Sequence, residues 1–222
     1  MTIENDIFKN FNSLILSSDL ERIKKLLVRE KIFQETIEIP GDIVECGVFK
    51  GTGVIYWLKL LKIFSSNSRK KIIGFDLFDA FNDDQAQEYE KEKIQEFVKE
   101  ANFNGQDMQE LFDIATSLAM NDRFDLIKGD IVQTSKQYAE NNKGFRISLL
   151  HLDLDTYNAT KSALENFYEN VSKGGIILID EYAERGWGES DAIDEFFRDK
   201  NVEIKSVPNS SKPTAYIKKN NF

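Results

Sequence analysis

The chain has 222 residues, 41% of them hydrophobic, and carries 29 Lys and Arg against 38 Asp and Glu, a formal charge of −9. This length suits one α/β domain over residues 1–222, and no apolar run approaches the roughly 18 residues needed to cross a bilayer. The acidic balance argues against a nucleic-acid partner; the lone Cys46 excludes an intramolecular disulfide, and the N-terminal residues lack the basic and apolar regions of a secretory signal, so a cytoplasmic location is expected.

Two helices are predicted within residues 1–39. In the second, Asp19 is the expected N-cap, and Leu20, Ile23, Leu26 and Leu27 share one face. The apolar character of these helices is compatible with a homodimer. Pro40-Gly41 interrupts the pattern; then come a short apolar run at 43–46, glycines at 47, 51 and 53, and a helical stretch over 54–64. That is a strand, a Gly-rich turn and a helix. A second strand is predicted over 71–76. Residues 78–121 read as a helical insertion, with patterns at 85–101 and 107–120, that covers one end of the sheet as a lid. Acid concentrated between Asp83 and Glu100 reads as a solvated helix face.

A third strand at 124–128 leads into Gly129-Asp130 and a short helix near 134–140. The fourth, at 147–154, is an almost unbroken apolar run, as in strands buried on both faces. A helix is predicted over 158–171, with Lys173-Gly174-Gly175 as its C-cap signal. The fifth strand, 176–179, ends in Asp180-Glu181; a helix at 189–198 and two strands at 202–207 and 214–218 follow, the last two separated by a loop at 208–211. The alternation predicts a doubly wound, Rossmann-like, mostly parallel sheet. Two successive strands without a helix between them place an antiparallel strand at its C-terminal end.

Open α/β sheets bind ligands beyond the carboxyl ends of their strands. The first such turn has the spacing G-x-x-x-G-x-G, with Glu45 two residues before Gly47. It matches neither the dinucleotide fingerprint nor the phosphate loop. An acidic residue beside this turn suits a cationic ligand such as S-adenosylmethionine and would repel a pyrophosphate. Glu45, Gly47, Gly51, Thr52 and Gly53 are therefore candidate cofactor contacts. Asp76 is placed to accept from ribose hydroxyls, Gly129 and Asp130 lie beside the expected adenine, and Asp153 closes the set.

Asp153 and Asp155 end the fourth strand, and Asp180 and Glu181 end the fifth. On adjacent parallel strands their tips converge, and crowded carboxylates hold a cation or have raised pKa values. Oxygen donors favour Mg²⁺, with Ca²⁺ or Mn²⁺ as substitutes. Helix capping is the bland alternative for Asp155. His151 and Cys46 read as structural, Cys46 as a small buried hydrophobe. Trp187 reads either as an acceptor-stacking wall or as an exposed loop aromatic, and the 183–188 loop as a further wall.

Three ordered motifs carry a resemblance: Pro40-Gly41-Asp42-Ile43-Val44-Glu45-Cys46-Gly47-Val48 with Lys50-Gly51; His151-Leu152-Asp153-Leu154-Asp155-Thr156-Tyr157; and Gly174-Gly175 leading into Asp180-Glu181-Tyr182. Together they resemble the macrocin, mycinamicin and novobiocin sugar O-methyltransferases of the TylF/MycF type. The resemblance implies the class I methyltransferase fold, S-adenosylmethionine and Mg²⁺ as cofactors, and a small sugar-type acceptor. It implies Asp153, Asp180 and Glu181 as metal ligands, Asp155 as general base, and Glu45, Gly47 and Asp76 as cofactor contacts. Glu181 departs from the family pattern, where an aspartate is usual. A metal-dependent glycosyltransferase using the D-x-D, a catechol-type methyltransferase and a non-catalytic binding protein are the alternatives.

Overall fold

A computed structural model describes residues 3–81, 86–102, 105–208 and 210–220. The predicted start at Gln85, the acidic pair Asp83 and Asp84, and Asn209 in the 208–211 loop lie outside the described residues. The elements run α1 (Ile3–Ile15), α2 (Glu21–Thr36), β1 (Asp42–Cys46), α3 (Thr52–Phe64), β2 (Ile72–Asp76), α4 (Lys91–Ala101), α5 (Met108–Ser117), β3 (Phe124–Lys128), α6 (Ile131–Asn141), β4 (Ile147–Leu152), α7 (Tyr157–Phe167), β5 (Val171–Ile179), α8 (Glu189–Phe197), β6 (Ile204–Ser206) and β7 (Ala215–Lys218).

The strands form one seven-stranded sheet in the order β3-β2-β1-β4-β5-β7-β6. β1 to β5 pair in parallel, while β7 runs antiparallel to both β5 and β6. The expected antiparallel strand is present, but it lies one place in from the edge because β6 pairs outside it. The order reverses at β1, which has β2 on one side and β4 on the other; a ligand crevice opens at such a switch point.

Alternation along the strands sorts their side chains onto two faces. Ile43, Leu149, Ile176 and Leu178 pack under α2, α3 and α5, through residues such as Phe33, Trp57 and Leu111. Val44, Leu150, Ile177 and Ile179 pack under α6, α7 and α8, through Ile131, Phe167 and Ile193. Apolar burial on both faces explains why these strands read as unbroken apolar runs.

The boundaries that bear on the site differ from the sequence reading at α7, β5 and β4. α7 stops at Phe167, a 3-10 turn spans Tyr168–Asn170, and β5 already begins at Val171. Gly174-Gly175 is therefore no helix cap. It lies inside β5, where Gly174 has φ +81° and a Cβ on Gly175 would sit 2.8 Å from the Ser172 carbonyl oxygen, the signature of an irregular, bulged strand. β4 ends at Leu152 rather than at 154; the Asp153 N–H still donates to the Cys46 carbonyl at 2.8 Å, and Asp155 lies beyond the strand. α2 is assigned from Glu21, yet Leu20 already has helical dihedrals, and Asp19 accepts from the Arg22 N–H at 3.0 Å as the expected cap does.

Candidate active site

A cavity of about 490 Å³ opens at the carboxyl ends of β1, β2, β4 and β5. Gly47, Asp76, Gly129, Asp130, Asp153, Asp155, Asp180 and Glu181 all line it. Its size falls in the range of small-molecule sites.

Gly47 has φ +93°, and a Cβ there would lie 1.7 Å from the Asp153 carbonyl oxygen. β1 and β4 can approach this closely only at a glycine. Asp76 is committed to the same turn: its Oδ2 accepts from the Val48 and Phe49 N–H groups at 2.7 and 2.9 Å, and its Oδ1 from the Phe78 N–H at 2.8 Å. Asp130 caps α6 by accepting from the Val132 N–H at 2.9 Å.

Glu45, Gly51, Thr52 and Gly53 are not brought to the cavity. Alternation points Glu45 to the α3 face, where it is 1% exposed. There its Oε2 accepts from Trp57 Nε1 at 2.6 Å and lies 3.0 Å from His151 Nδ1. Gly53 makes room for this carboxylate, because a Cβ would lie 2.2 Å from Glu45 Oε1. Gly51 turns the chain at φ +80° against Leu111, and Thr52 is exposed. These residues shape the turn from behind.

The register of β1 with β4 places Glu45 beside His151, and His151 Nε2 reaches Asp180 Oδ1 at 3.4 Å. Burial disfavours the imidazolium, but bonds to Asp180 and Glu45 outweigh it and raise His151 to about 8. Burial likewise opposes ionisation of Glu45 and Asp180, yet His151 holds both below their ordinary values. Glu45, His151 and Asp180 thus form a buried carboxylate–imidazole–carboxylate chain running from β1 to the cavity. His151, expected as a structural residue, is held at both ring nitrogens by buried carboxylates.

The remaining carboxyls behave in the opposite way. Burial and the Asp180 charge push Asp153 up, and burial with the Asp153 and Glu181 charges pushes Asp155 well up. Asp155 does not cap α7, whose N-cap position is Thr156. Its backbone, at φ +61°, accepts from the Gly188 and Glu189 N–H groups at 3.1 and 3.2 Å, so the start of α8 fixes its position. Glu181 contacts Lys212 through Oε1, while its Oε2 is buried without a hydrogen-bond partner among the described residues.

A cation fits this donor set. Among the described residues, His151, Asp153 and Asp180 offer ligand atoms within 4.8 Å of one another. Glu181 is not part of that group. His151 has both ring nitrogens engaged, which leaves the oxygens as the available donors.

Several residues of the site were not read from sequence. Lys25 and Arg29 of α2 reach Asp180 Oδ2 at 3.7 Å and Asp153 Oδ2 at 3.9 Å. Lys212 reaches Glu181 from the loop before β7. Glu189 is fully buried, accepts from the Glu181 N–H at 3.2 Å, and is pushed well up by burial and then by Asp155. Of these, only Glu189 left a sequence signal, as an acid at the start of a predicted helix. From the insertion, Phe97, Val98 and Ala101 of α4 line the cavity with Phe49 and Phe81. Trp187 is neither exposed nor a wall; it is 6% exposed and sits edge-on to Phe97, with centroids 6.2 Å apart.

The sequence profile of the family described as Macrocin-O-methyltransferase (TylF) matches residues 12–210. The chain is 26% identical over 155 residues to Mycinamicin III 3''-O-methyltransferase of Micromonospora griseorubida, covering 65% of this chain and 56% of that protein. It is 25% identical over 148 residues to 8-demethyl-8-(2,3-dimethoxy-alpha-L-rhamnosyl)-tetracenomycin-C 4'-O-methyltransferase of Streptomyces olivaceus, covering 65% and 54%. The chain thus spans about half the length of the curated relatives it matches. Among solved structures, the calicheamicin methyltransferase CalS11 superposes with a TM-score of 0.78 at 23% identity, over 98% of this chain and 86% of that one. The O-methyltransferase NovP gives 0.75 at 20% identity, over 90% and 81%. The fold is that of the class I methyltransferases.

Proposed function

The chain belongs to the Macrocin-O-methyltransferase (TylF) family, and from that premise we propose that it is an S-adenosylmethionine-dependent O-methyltransferase acting on a hydroxyl of a sugar or glycosylated metabolite. The observation that carries this reading is the meeting of two halves in one cavity: the Gly47–Asp76–Asp130 side and the Asp153–Asp155–Asp180–Glu181 side. We read the whole chain as a single methyltransferase domain, with α4 and α5 as one wall of the acceptor space.

Gly47, Asp76, Gly129 and Asp130 are proposed to hold the nucleoside end of the cofactor, and Asp153 its reactive end. Asp153, Asp180 and Glu181 are proposed to hold a divalent cation, with Mg²⁺ favoured by the oxygen donors. When bound, the cofactor supplies the methyl group, and the cation lowers the pKa of the acceptor hydroxyl and directs it. Asp155 takes the hydroxyl proton. Burial and the neighbouring Asp153 and Glu181 charges raise its pKa, which makes it the stronger proton acceptor. The start of α8, bonded to the Asp155 carbonyl, keeps that base in place. Phe49, Phe81 and Phe97 exclude water from the acceptor side and present apolar faces to a sugar ring.

The test is product formation. The purified chain, S-adenosylmethionine and a panel of free, nucleotide-linked and glycosidic sugars are incubated with Mg²⁺ or with EDTA, and mass gain is read by mass spectrometry. A mass gain of one methyl on a sugar, lost in EDTA, is expected. Transfer to catechols alone would overturn the acceptor class, and full turnover in EDTA would overturn the metal part.

A further inference from the structure

Each carboxylate put forward as a metal ligand already faces a basic side chain of its own. Arg29 faces Asp153, Lys25 faces Asp180, and Lys212 contacts Glu181. The three cations are not equally free. Arg29 is 5% exposed and lies over the Trp57 ring at 5.6 Å, which fixes it. The Lys212 side chain is 41% exposed, whereas that of Glu181 is only 3% exposed. The carboxylate is held by the fold, and the ammonium reaches it on a long stem with a route to solvent. The loop that carries Lys212 is itself tethered, since Ser211 Oγ donates to Glu21 Oε2 of α2 at 2.6 Å.

Resting on the metal reading above, we propose that Lys212 is a tethered counter-ion, a positioning residue whose ammonium competes with a divalent cation for Glu181. Glu181 offers two oxygens: Oε1 is taken by Lys212, and Oε2 is buried and unpartnered among the described residues. A cation held by Oε2 alone would be repelled by the ammonium on Oε1 of the same carboxylate. A cation that takes both oxygens must displace it. Either way Lys212 subtracts from metal affinity, and the repulsion is stronger in a largely buried site than at a surface. The arrangement also keeps the crowded carboxylates compensated in both states, with the ammonium in place or with the metal in place. Buried charge left without a partner is costly, so the exchange avoids the unpaired state.

The experiment measures Mn²⁺ binding to the full chain in the presence of S-adenosylhomocysteine, from the electron paramagnetic resonance signal of free Mn²⁺. Lys212→Gln is expected to bind Mn²⁺ at least about 10-fold tighter than the unsubstituted chain, because one nearby like charge is removed. Lys212→Arg keeps the charge and is expected to stay within about threefold of it. Asp180→Asn is expected to lose binding. Lys212→Met, which keeps the aliphatic stem, carries the test if the glutamine variant does not fold. If the unsubstituted chain binds Mn²⁺ and the neutral Lys212 variants bind it equally or more weakly, the counter-ion role is overturned and the metal reading stands. If no form binds Mn²⁺ while all bind S-adenosylhomocysteine, both are overturned.

Discussion

Gly53 has no side chain because Glu45 occupies the space one would need. The Gly53→Ala variant is therefore expected to lose about 1–3 kcal/mol, the usual cost of overfilling a packed interior, read as a lowered denaturant midpoint. An unchanged midpoint would mean that Glu45 is not fixed by Trp57 and His151. The variant separates two meanings of a glycine in a ligand-binding turn, since Gly47 admits the neighbouring strand and Gly53 admits a buried acid. Asp155 is a different kind of residue, placed by the backbone of α8 and raised by its neighbours. Asp155→Asn keeps the shape and removes the base. It is expected to slow methyl transfer roughly 10²–10⁴-fold in kcat while S-adenosylhomocysteine binding is retained. A loss of cofactor binding with kcat unchanged would assign Asp155 to the cofactor instead.

The insertion does more than cover the cavity. Glu90, just before α4, is fully buried; its Oε2 accepts from the Gln87 N–H at 2.6 Å and its Oε1 from the Tyr157 N–H at 2.7 Å. It thus caps its own element and the first turn of α7, directly after Asp155-Thr156. Glu90→Ala leaves two N–H groups without acceptors and is expected to cost about 1–3 kcal/mol, read by thermal melting. A raised acceptor KM, measured on the folded variant, is expected in addition if α4 also walls the acceptor space. None of this was legible in the sequence, where Glu90 sits within an acidic run that reads as a solvated face. The strands were legible because burial on both faces leaves unbroken apolar runs, and the order of α/β units followed from them. The end of α7 was not legible: Tyr168 and Val171 continue an apolar pattern, and the Gly pair after them serves a bulged strand as well as it would serve a helix cap.

At the scale of the whole molecule the sheet has two ends with different duties. The acids at the carboxyl ends were readable because each directly follows an apolar run. Their counter-charges Lys25, Arg29 and Lys212 were not, because α2 and the loop before β7 reach the site only through the fold. The opposite end carries the fastening. There Lys70 donates through Nζ to the carbonyls of Ile39 and Gly41, and Arg123 donates to the Lys70 carbonyl at 3.0 Å and to those of Ser66 and Ser65 after α3. Burial lowers Lys70 to about 8, against an ordinary lysine near 10.5. Between those values the unfolded chain keeps a proton that the folded chain has lost, so on this account stability rises with pH from about 8 to 10.5. The neutral amine can still donate to both carbonyls, so the bonds survive deprotonation. Lys70→Met removes the titration. The stability of the unsubstituted chain minus that of the variant, from urea unfolding at pH 7, 8.5 and 10, is expected to grow with pH. The methyl-transfer rate constant at pH 7 is expected to stay the same, because Lys70 lies at the far end of the sheet from Asp155. A difference that shrinks with pH would mean that the Lys70 ammonium stabilises this end of the sheet, and that Asp42 rather than burial governs its charge.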